Sequence, residues 1–223
     1  MLNRLKNYEQ SSIETLISKK SVNYIEAIKF MEKRVDGIIN KKKSNLIWML
    51  FHPKIYTVGK SSKKEDFIKK PIIPVHHTNR GGQITYHGPG QRIIYLMIDI
   101  NKKKDVRYFI RLIEKIIIET LQEFNITAES RKDRIGIWVT KINNKFLKKE
   151  KKIASIGIRI KKWVSYHGIS INICPDLSYF KYINPCGIKN FGVTSFKDLG
   201  LSINLNEFDR IILKKLKKHL IFK

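Results

Sequence analysis

Residues 80–100 read RGGQITYHGPGQRIIYLMIDI. Gly81, Gly82, Gly88 and Gly90 surround the short β-forming core Thr85-Tyr86-His87, and Pro89 stiffens the turn between the last two glycines. "QITYH", the turn "GPG" and "QRIIYLMIDI" predict strand, turn and strand, that is, a hairpin. Glycine belongs where a chain turns with positive φ or where another group comes too close for a Cβ. The same stretch is therefore also a candidate wall of a binding site.

Upstream, "SVNYIEAIKFMEKRVDGIINKKKS" from Ser21 places Tyr24, Ile28, Met31 and Val35 at helical spacing, with Ser21 as the expected cap. "NLIWMLFHPKIYTVGK" predicts a buried strand ended at Pro53 and a short extended piece after it. Gly59-Lys60-Ser61 invites a phosphate-loop reading, but Lys54 stands where that loop needs its first glycine, and the reading fails. Downstream, Asp105 can cap an apolar helix to Phe124 through Phe109, Leu112, Ile113, Ile116 and Ile117. Short strands are expected at 135–139, 152–160 and 168–173, and a lysine-rich helix from about Asn206. "NNKFLKKEK", residues 143–151, is expected as an exposed basic loop. Helices interspersed with mixed, often adjacent strands predict an α+β fold, and the chain, residues 1–223, reads as a single domain.

With 223 residues, 42% of them hydrophobic, the chain has enough apolar material for one sizeable core. No apolar run reaches the roughly 18 residues that a membrane-spanning helix needs. The N-terminal stretch lacks the apolar segment of a secretory signal and carries Glu9 and Glu14, so the expected location is cytoplasmic. The formal net charge of +26 predicts an acidic partner, either nucleic acid or acidic protein. The joint abundance of Lys, Ile and Asn is equally what compositional drift on exposed positions produces. The two cysteines and six histidines form no CxxC or HExxH, and no metal is expected.

Cys186 lies between Pro185 and Gly187, on a turn where an incoming group can reach a thiol, whereas Cys174 ends the apolar run "GISINI" and reads as packing. A nucleophilic thiol needs a base or cation nearby. Lys152 stands out because it opens an apolar strand, which brings its ammonium to the edge of the core.

Taken in order, "RGGQITYHGPGQ", "KIASIG", "HGISINI" and "INPCGI…GVTS" resemble the signature segments of the lipoyl(octanoyl)transferase family, within the biotin/lipoate protein ligase superfamily. The resemblance extends from about Tyr24 to Phe196 and includes "HPKIYTVG" and "DVRYFIRLIE". It implies a largely antiparallel mixed sheet with packed helices, no cofactor, and an acyl transfer. Octanoyl-acyl carrier protein would be the donor. Lipoyl domains of 2-oxoacid dehydrogenase E2 subunits and the glycine cleavage H protein would be the acceptors, with no membrane and no specific nucleic acid involved. Cys186 matches the family's acyl-thioester nucleophile and Lys152 the lysine that favours the thiolate and acts as base. Arg80, Gly81, Gly82, Gln83, Ile84, Thr85, Tyr86 and His87 match one substrate-binding stretch. Ser155, Ile156 and Gly157, with Gly168, Ile169 and Ser170, match two more. On this reading the glycines clear space beside an acyl chain. The residues leave two roles open for His87 and His167, chemistry or hydrogen-bonded structure. They leave two for Arg80 as well, binding the donor or pinning its loop.

Family members usually carry Asp and Glu where Asn79 and Phe51 stand here, a departure that touches local loops and not the Cys186–Lys152 pair. An ATP-dependent lipoate or biotin ligase is the nearest rival. It needs an adenylate loop such as GRGRxG, which this sequence lacks, and it has no need for Cys186. A nucleic-acid-binding module is the rival from another class, and it rests on charge alone.

Overall fold

The computed structural model of the chain describes residues 13–184 and 191–221. In chain order its elements are β1 (Glu14–Ile17), α1 (Tyr24–Ile39), β2 (Leu46–Leu50), β3 (Ile55–Val58), β4 (Val75–His77), β5 (Thr85–His87) and β6 (Gln91–Met97). There follow α2 (Val106–Gln122), β7 (Ile126–Ser130), β8 (Ile137–Ile142), β9 (Lys145–Lys161), β10 (Val164–Asn172), β11 (Gly192–Val193) and α3 (Leu205–Leu220). The strands build an eight-stranded sheet in the order β1-β2-β6-β10-β9-β8-β7, with β11 added beside β9, and a three-stranded sheet in the order β4-β3-β5. In the large sheet β1–β2 and β9–β11 are parallel and the remaining pairs antiparallel. The expected α+β fold is the one observed.

Side chains alternate across a strand, and in the central strands both faces are apolar. Ile47 and Met49 of β2 pack with Ile94 and Leu96 of β6 beneath α2 and α3. Leu46, Trp48 and Leu50 pack with Ile93, Tyr95 and Met97 beneath Ala27, Met31 and Val35 of α1. The continuous run "LIWML" thus records a strand covered on both sides. Asn23, rather than Ser21, caps α1 by accepting from the Ile25 N–H at 2.9 Å, and Asp105 caps α2 as expected. None of the described helices is long and apolar enough to cross a membrane.

Three local expectations are corrected. β5 and β6 do not pair with each other: β5 pairs with β3 and β6 with β2 and β10. The Gly88-Pro89-Gly90 turn therefore hands the chain from the small sheet to the large one, and Gly90 O accepts from the N–H groups of Ile173 and Cys174. Residues 143–151 are also not a loop. Asn143 and Asn144 both have positive φ, the requirement of a two-residue hairpin turn, and the lysine-rich remainder is the first half of β9. Cys174 is exposed at the end of β10, not packed.

Arg92 of β6 and Asp209 of α3 lock the helix to the sheet. Both are buried, and the guanidinium meets the carboxylate through two bonds of 3.0 and 2.5 Å. The Phe51 ring lies 4.9 Å from the guanidinium carbon. Removing one member of such a pair strands the other charge in the core. Asp209→Ala is expected to cost about 3–5 kcal/mol in urea-denaturation measurements, and a loss within error of zero would show that α3 is held by its apolar face alone.

Candidate functional site

A cavity of about 320 Å³ lies between the β9–β10 ladder and the strap leading from Arg80 into β5. Antiparallel pairing sets Ser155 opposite Ser170, Ile156 opposite Ile169 and Gly157 opposite Gly168, so two of the sequence-predicted stretches form one floor. All six line the cavity, as do Arg80, Gly82, Gln83, Ile84, Thr85, His87 and Lys152. Tyr86 does not. Its ring stacks on Tyr179 at 4.9 Å, in the core of the small sheet. Gly81 is not part of the lining either: a Cβ there would stand 2.8 Å from Ile158 O, so this glycine lets the strap rest on β9 rather than clearing space for substrate. Cys186 lies outside the described residues.

Lys152 is 2% exposed and sits where β9 changes partner. From Ala154 onward the strand pairs with β10, while Lys152 itself stands between Trp138 of β8 and Val193 of β11. Its carbonyl accepts from the Thr194 N–H at 2.8 Å, and its ammonium lies 5.8 Å from the Trp138 ring centre. Gly136 makes the slot for this side chain. Its φ is +128°, and a Cβ would fall 2.3 Å from Lys152 Cε. Beside it the Arg134 guanidinium lies between the rings of Trp138 and Phe191, at 4.9 and 4.2 Å, and pairs with Glu150 and Asp133. Phe191 is the first described residue after the segment holding Cys186. Strand pairing therefore brings the chain immediately downstream of that segment to Lys152.

The opposite end of the cavity is walled by Tyr24, His87, Tyr95 and His167. A continuous relay holds it. Arg80 Nε donates to Thr57 Oγ1 at 3.0 Å and Nη2 to Thr57 O at 2.5 Å. Thr57 Oγ1 lies 3.2 Å from His87 Nε2, and His87 Nδ1 lies 2.7 Å from Gln91 Oε1. Gln91 Nε2 donates to Asn172 Oδ1 at 2.9 Å, and Asn172 Nδ2 to Thr194 O at 2.9 Å. Because Gln91 Oε1 can only accept, the proton of His87 is on Nδ1, and Nε2 accepts from the Thr57 hydroxyl. By the same logic His52 donates from Nδ1 to Val22 O at 2.7 Å and accepts from the Tyr95 hydroxyl at 2.6 Å. Arg80 is tied to Thr57 and Gly81, and His87 to Thr57 and Gln91, both on the wall of the site. Thr57, Gln91, Asn172, Gly136 and Arg134 were not singled out from the sequence. Only "RIG" before the strand at 137 carries a signal, a glycine flanking an apolar run.

Burial disfavours the imidazolium form throughout this wall. It lowers His52 to about 4, and burial, then repulsion from a protonated His52 and from Arg80, lowers His87 to about 3. His167 is lowered to about 3 by burial, then by Arg80 and Arg159. All three are neutral at pH 7. In the unfolded chain each takes up a proton near pH 6.5, so the stability they contribute is complete above that pH and is lost as pH falls toward 4. Each group adds at most about 1.4 kcal/mol per pH unit to the decline. In an NMR titration of the imidazole protons from pH 8 to 5, these three are expected not to titrate, and a midpoint near 6.5 at any of them would contradict the assigned network.

Residues 23–217 match the lipoyl protein ligase A/B catalytic domain. The octanoyltransferase of Wolbachia sp. subsp. Brugia malayi (strain TRS) is 47% identical over 208 residues, covering 92% of this chain and 98% of that one. The octanoyltransferase of Bartonella quintana is 46% identical over 208 residues, covering 91% and 84%. Among solved structures, a bi-partite lipoate protein ligase from Thermoplasma acidophilum shares the fold with a TM-score of 0.65 at 13% identity, covering 94% of this chain and 84% of that one. A lipoate-protein ligase A bound with ATP does so with a TM-score of 0.63 at 14% identity, covering 93% and 85%. By its sequence and its fold, the chain belongs to the lipoyl protein ligase A/B catalytic-domain family, beside the octanoyltransferases.

Proposed function

We propose that this protein is an octanoyltransferase that moves an octanoyl group from octanoyl-acyl carrier protein to a lysine of a lipoyl domain through a thioester on Cys186. The observation that carries the reading is the cavity itself. It is a space lined mainly by apolar surface, with the buried Lys152 at one end and Tyr24, His87, Tyr95 and His167 at the other. The close octanoyltransferase relatives and the match over residues 23–217 support the reaction class and a single catalytic domain.

With Cys186 as thiolate and Lys152 as ammonium, the sulfur attacks the donor thioester carbonyl and the carrier's thiolate leaves. That thiolate takes a proton from Lys152, which becomes a neutral amine. The acceptor lysine then attacks the new thioester, Lys152 accepts its proton, and Cys186 departs as thiolate, so the starting charges are restored. Ser155, Ile156 and Gly157, with Gly168, Ile169 and Ser170, would hold the acyl chain, and the strap Arg80–His87 would cover it. Acidic carrier and lipoyl domains suit a chain of net charge +26, and such partners agree with a cytoplasmic location.

Intact mass after mixing with octanoyl-acyl carrier protein tests the reading. A thioester-labile octanoyl adduct is expected in the parent protein and in Cys174→Ser, and none in Cys186→Ser. An adduct that survives in Cys186→Ser would sink the assignment of the nucleophile, and absence of both adduct and transfer in the folded parent would sink the function. Gly136→Ala should push Lys152 out of its slot and lower the transfer rate by about 10²-fold, with the fold retained by circular dichroism. An unchanged rate would mean that the position of the lysine is not what Gly136 secures.

A further inference from the structure

His167 carries a backbone penalty that nothing in the fold explains. It adopts φ +57° inside a strand, in the left-handed region that glycine enters freely and other residues avoid. It is also 3% exposed, and among the described residues its ring nitrogens make no hydrogen bond, the ring lying against Tyr166 and Tyr95 instead. The strand is arranged to allow this. Ser165 Oγ accepts from Ile98 N at 3.1 Å and donates to Leu96 O at 2.7 Å, closing the β6–β10 ladder by side chain just before the kink. At Gly168 a Cβ would stand 1.9 Å from Ile94 O, so regular pairing resumes at once. Strain held in place by its surroundings, on a cavity wall, points to the cavity for its reason.

His167 is also common to two cavities. Behind it lies a second space of about 220 Å³, walled by Ile28 and Glu32 of α1 and by the chain from His76 to Asn79. Along β9 and β10 the first cavity runs from Lys152 to His167, which is paired with Ile158. A chain whose carbonyl reacts beside Lys152 therefore points its far end at this ring. Tyr24, Tyr95 and His87 flank it and are fixed by hydrogen bonds to Thr78, His52 and Gln91. His167 is the member of the wall with open space behind it.

We propose that His167 is the partition that sets acyl chain length, closing the acyl cavity off from the second cavity so that an eight-carbon chain fits and longer chains do not. This rests on the acyl-transfer reading. Its ring is uncharged and its backbone is held, which makes a stiff, neutral stop for a terminal methyl. A glycine at 167 would adopt the same φ without strain and join the two spaces, giving a longer chain a route past Ile28.

The test is the ratio of kcat/KM for dodecanoyl- to octanoyl-acyl carrier protein in the parent protein, His167→Gly and His167→Asn. The ratio is expected to rise by about 10-fold or more in His167→Gly and less in Asn, which tolerates the left-handed backbone and keeps part of the bulk. Adding Ile28→Trp to His167→Gly should refill the second cavity and bring the ratio back down, which mere loosening of the fold would not do. If His167→Gly does not fold, the His167→Asn ratio decides, and an unchanged ratio overturns the proposal. A raised KM for octanoyl-acyl carrier protein at constant ratio also overturns it, because His167 would then contact the donor's head and not its tail. Failure of the parent to transfer octanoyl at all would instead refute the acyl-transfer reading.

Discussion

The architecture depends on holding a small sheet against a large one without letting the gap between them close. Apolar packing alone would close it, because burial rewards any contact that excludes water. The relay from Arg80 through Thr57, His87, Gln91 and Asn172 to Thr194 prevents this. Each member is buried, and each has a partner at a fixed distance. One such bond is worth about 1 kcal/mol net, but leaving a buried donor or acceptor without its partner costs about 1–3 kcal/mol, so the chain of bonds resists being shortened or slid. The gap stays open at the spacing the relay dictates.

The second organising feature is a single long strand that changes partners. β9 runs over seventeen residues, from a solvent-exposed hairpin to the floor of the cavity. Its register against β8 shifts between Ile137 and Trp138 and again between Val139 and Lys141. Such irregularities aim side chains out of the regular alternation, and Lys152 sits at one of them, across from Trp138. β11 then docks on the same stretch from the other side, and this fixes where the chain lies immediately after the Cys186 segment. The chain directly downstream of that segment is thereby drawn to Lys152 by backbone pairing, across about forty residues of sequence.

The helices, the doubly covered strand at 46–50 and the α+β class were legible because they rest on local periodicity and caps. The floor of the site was legible as short glycine-marked stretches, since Ser155–Gly157 and Gly168–Ser170 each carry their own pattern. What could not be read is what depends on pairing at long range. "QITYHGPGQRIIYLM" has every local mark of a hairpin, and only the alternative partners β3 and β10 reveal that the turn crosses between sheets. Residues 143–151 look like a loop in sequence because a half-exposed strand can carry lysine at every outward position without loss, and because Asn-Asn lacks the glycine that usually marks a two-residue hairpin turn. Thr57, Gln91 and Asn172 are ordinary polar residues in ordinary strands, and their roles exist only once three separate segments meet.

The electrostatics of the cavity follow from how Arg80 is held. Its side chain is tied to Thr57 Oγ1, to Thr57 O and to the Gly81 carbonyl, which fix the guanidinium beside the wall. Burial first, and then repulsion from the Arg80 guanidinium, keeps His87 and His167 deprotonated well below physiological pH. An imidazole of ordinary basicity lining the same cavity would compete for any proton released there. With both rings held neutral, that competition is absent at the end of the cavity they wall. Burial and the guanidinium charges of Arg80 and Arg159 thus make that end of the cavity a neutral wall, which suits an apolar ligand better than a charged one.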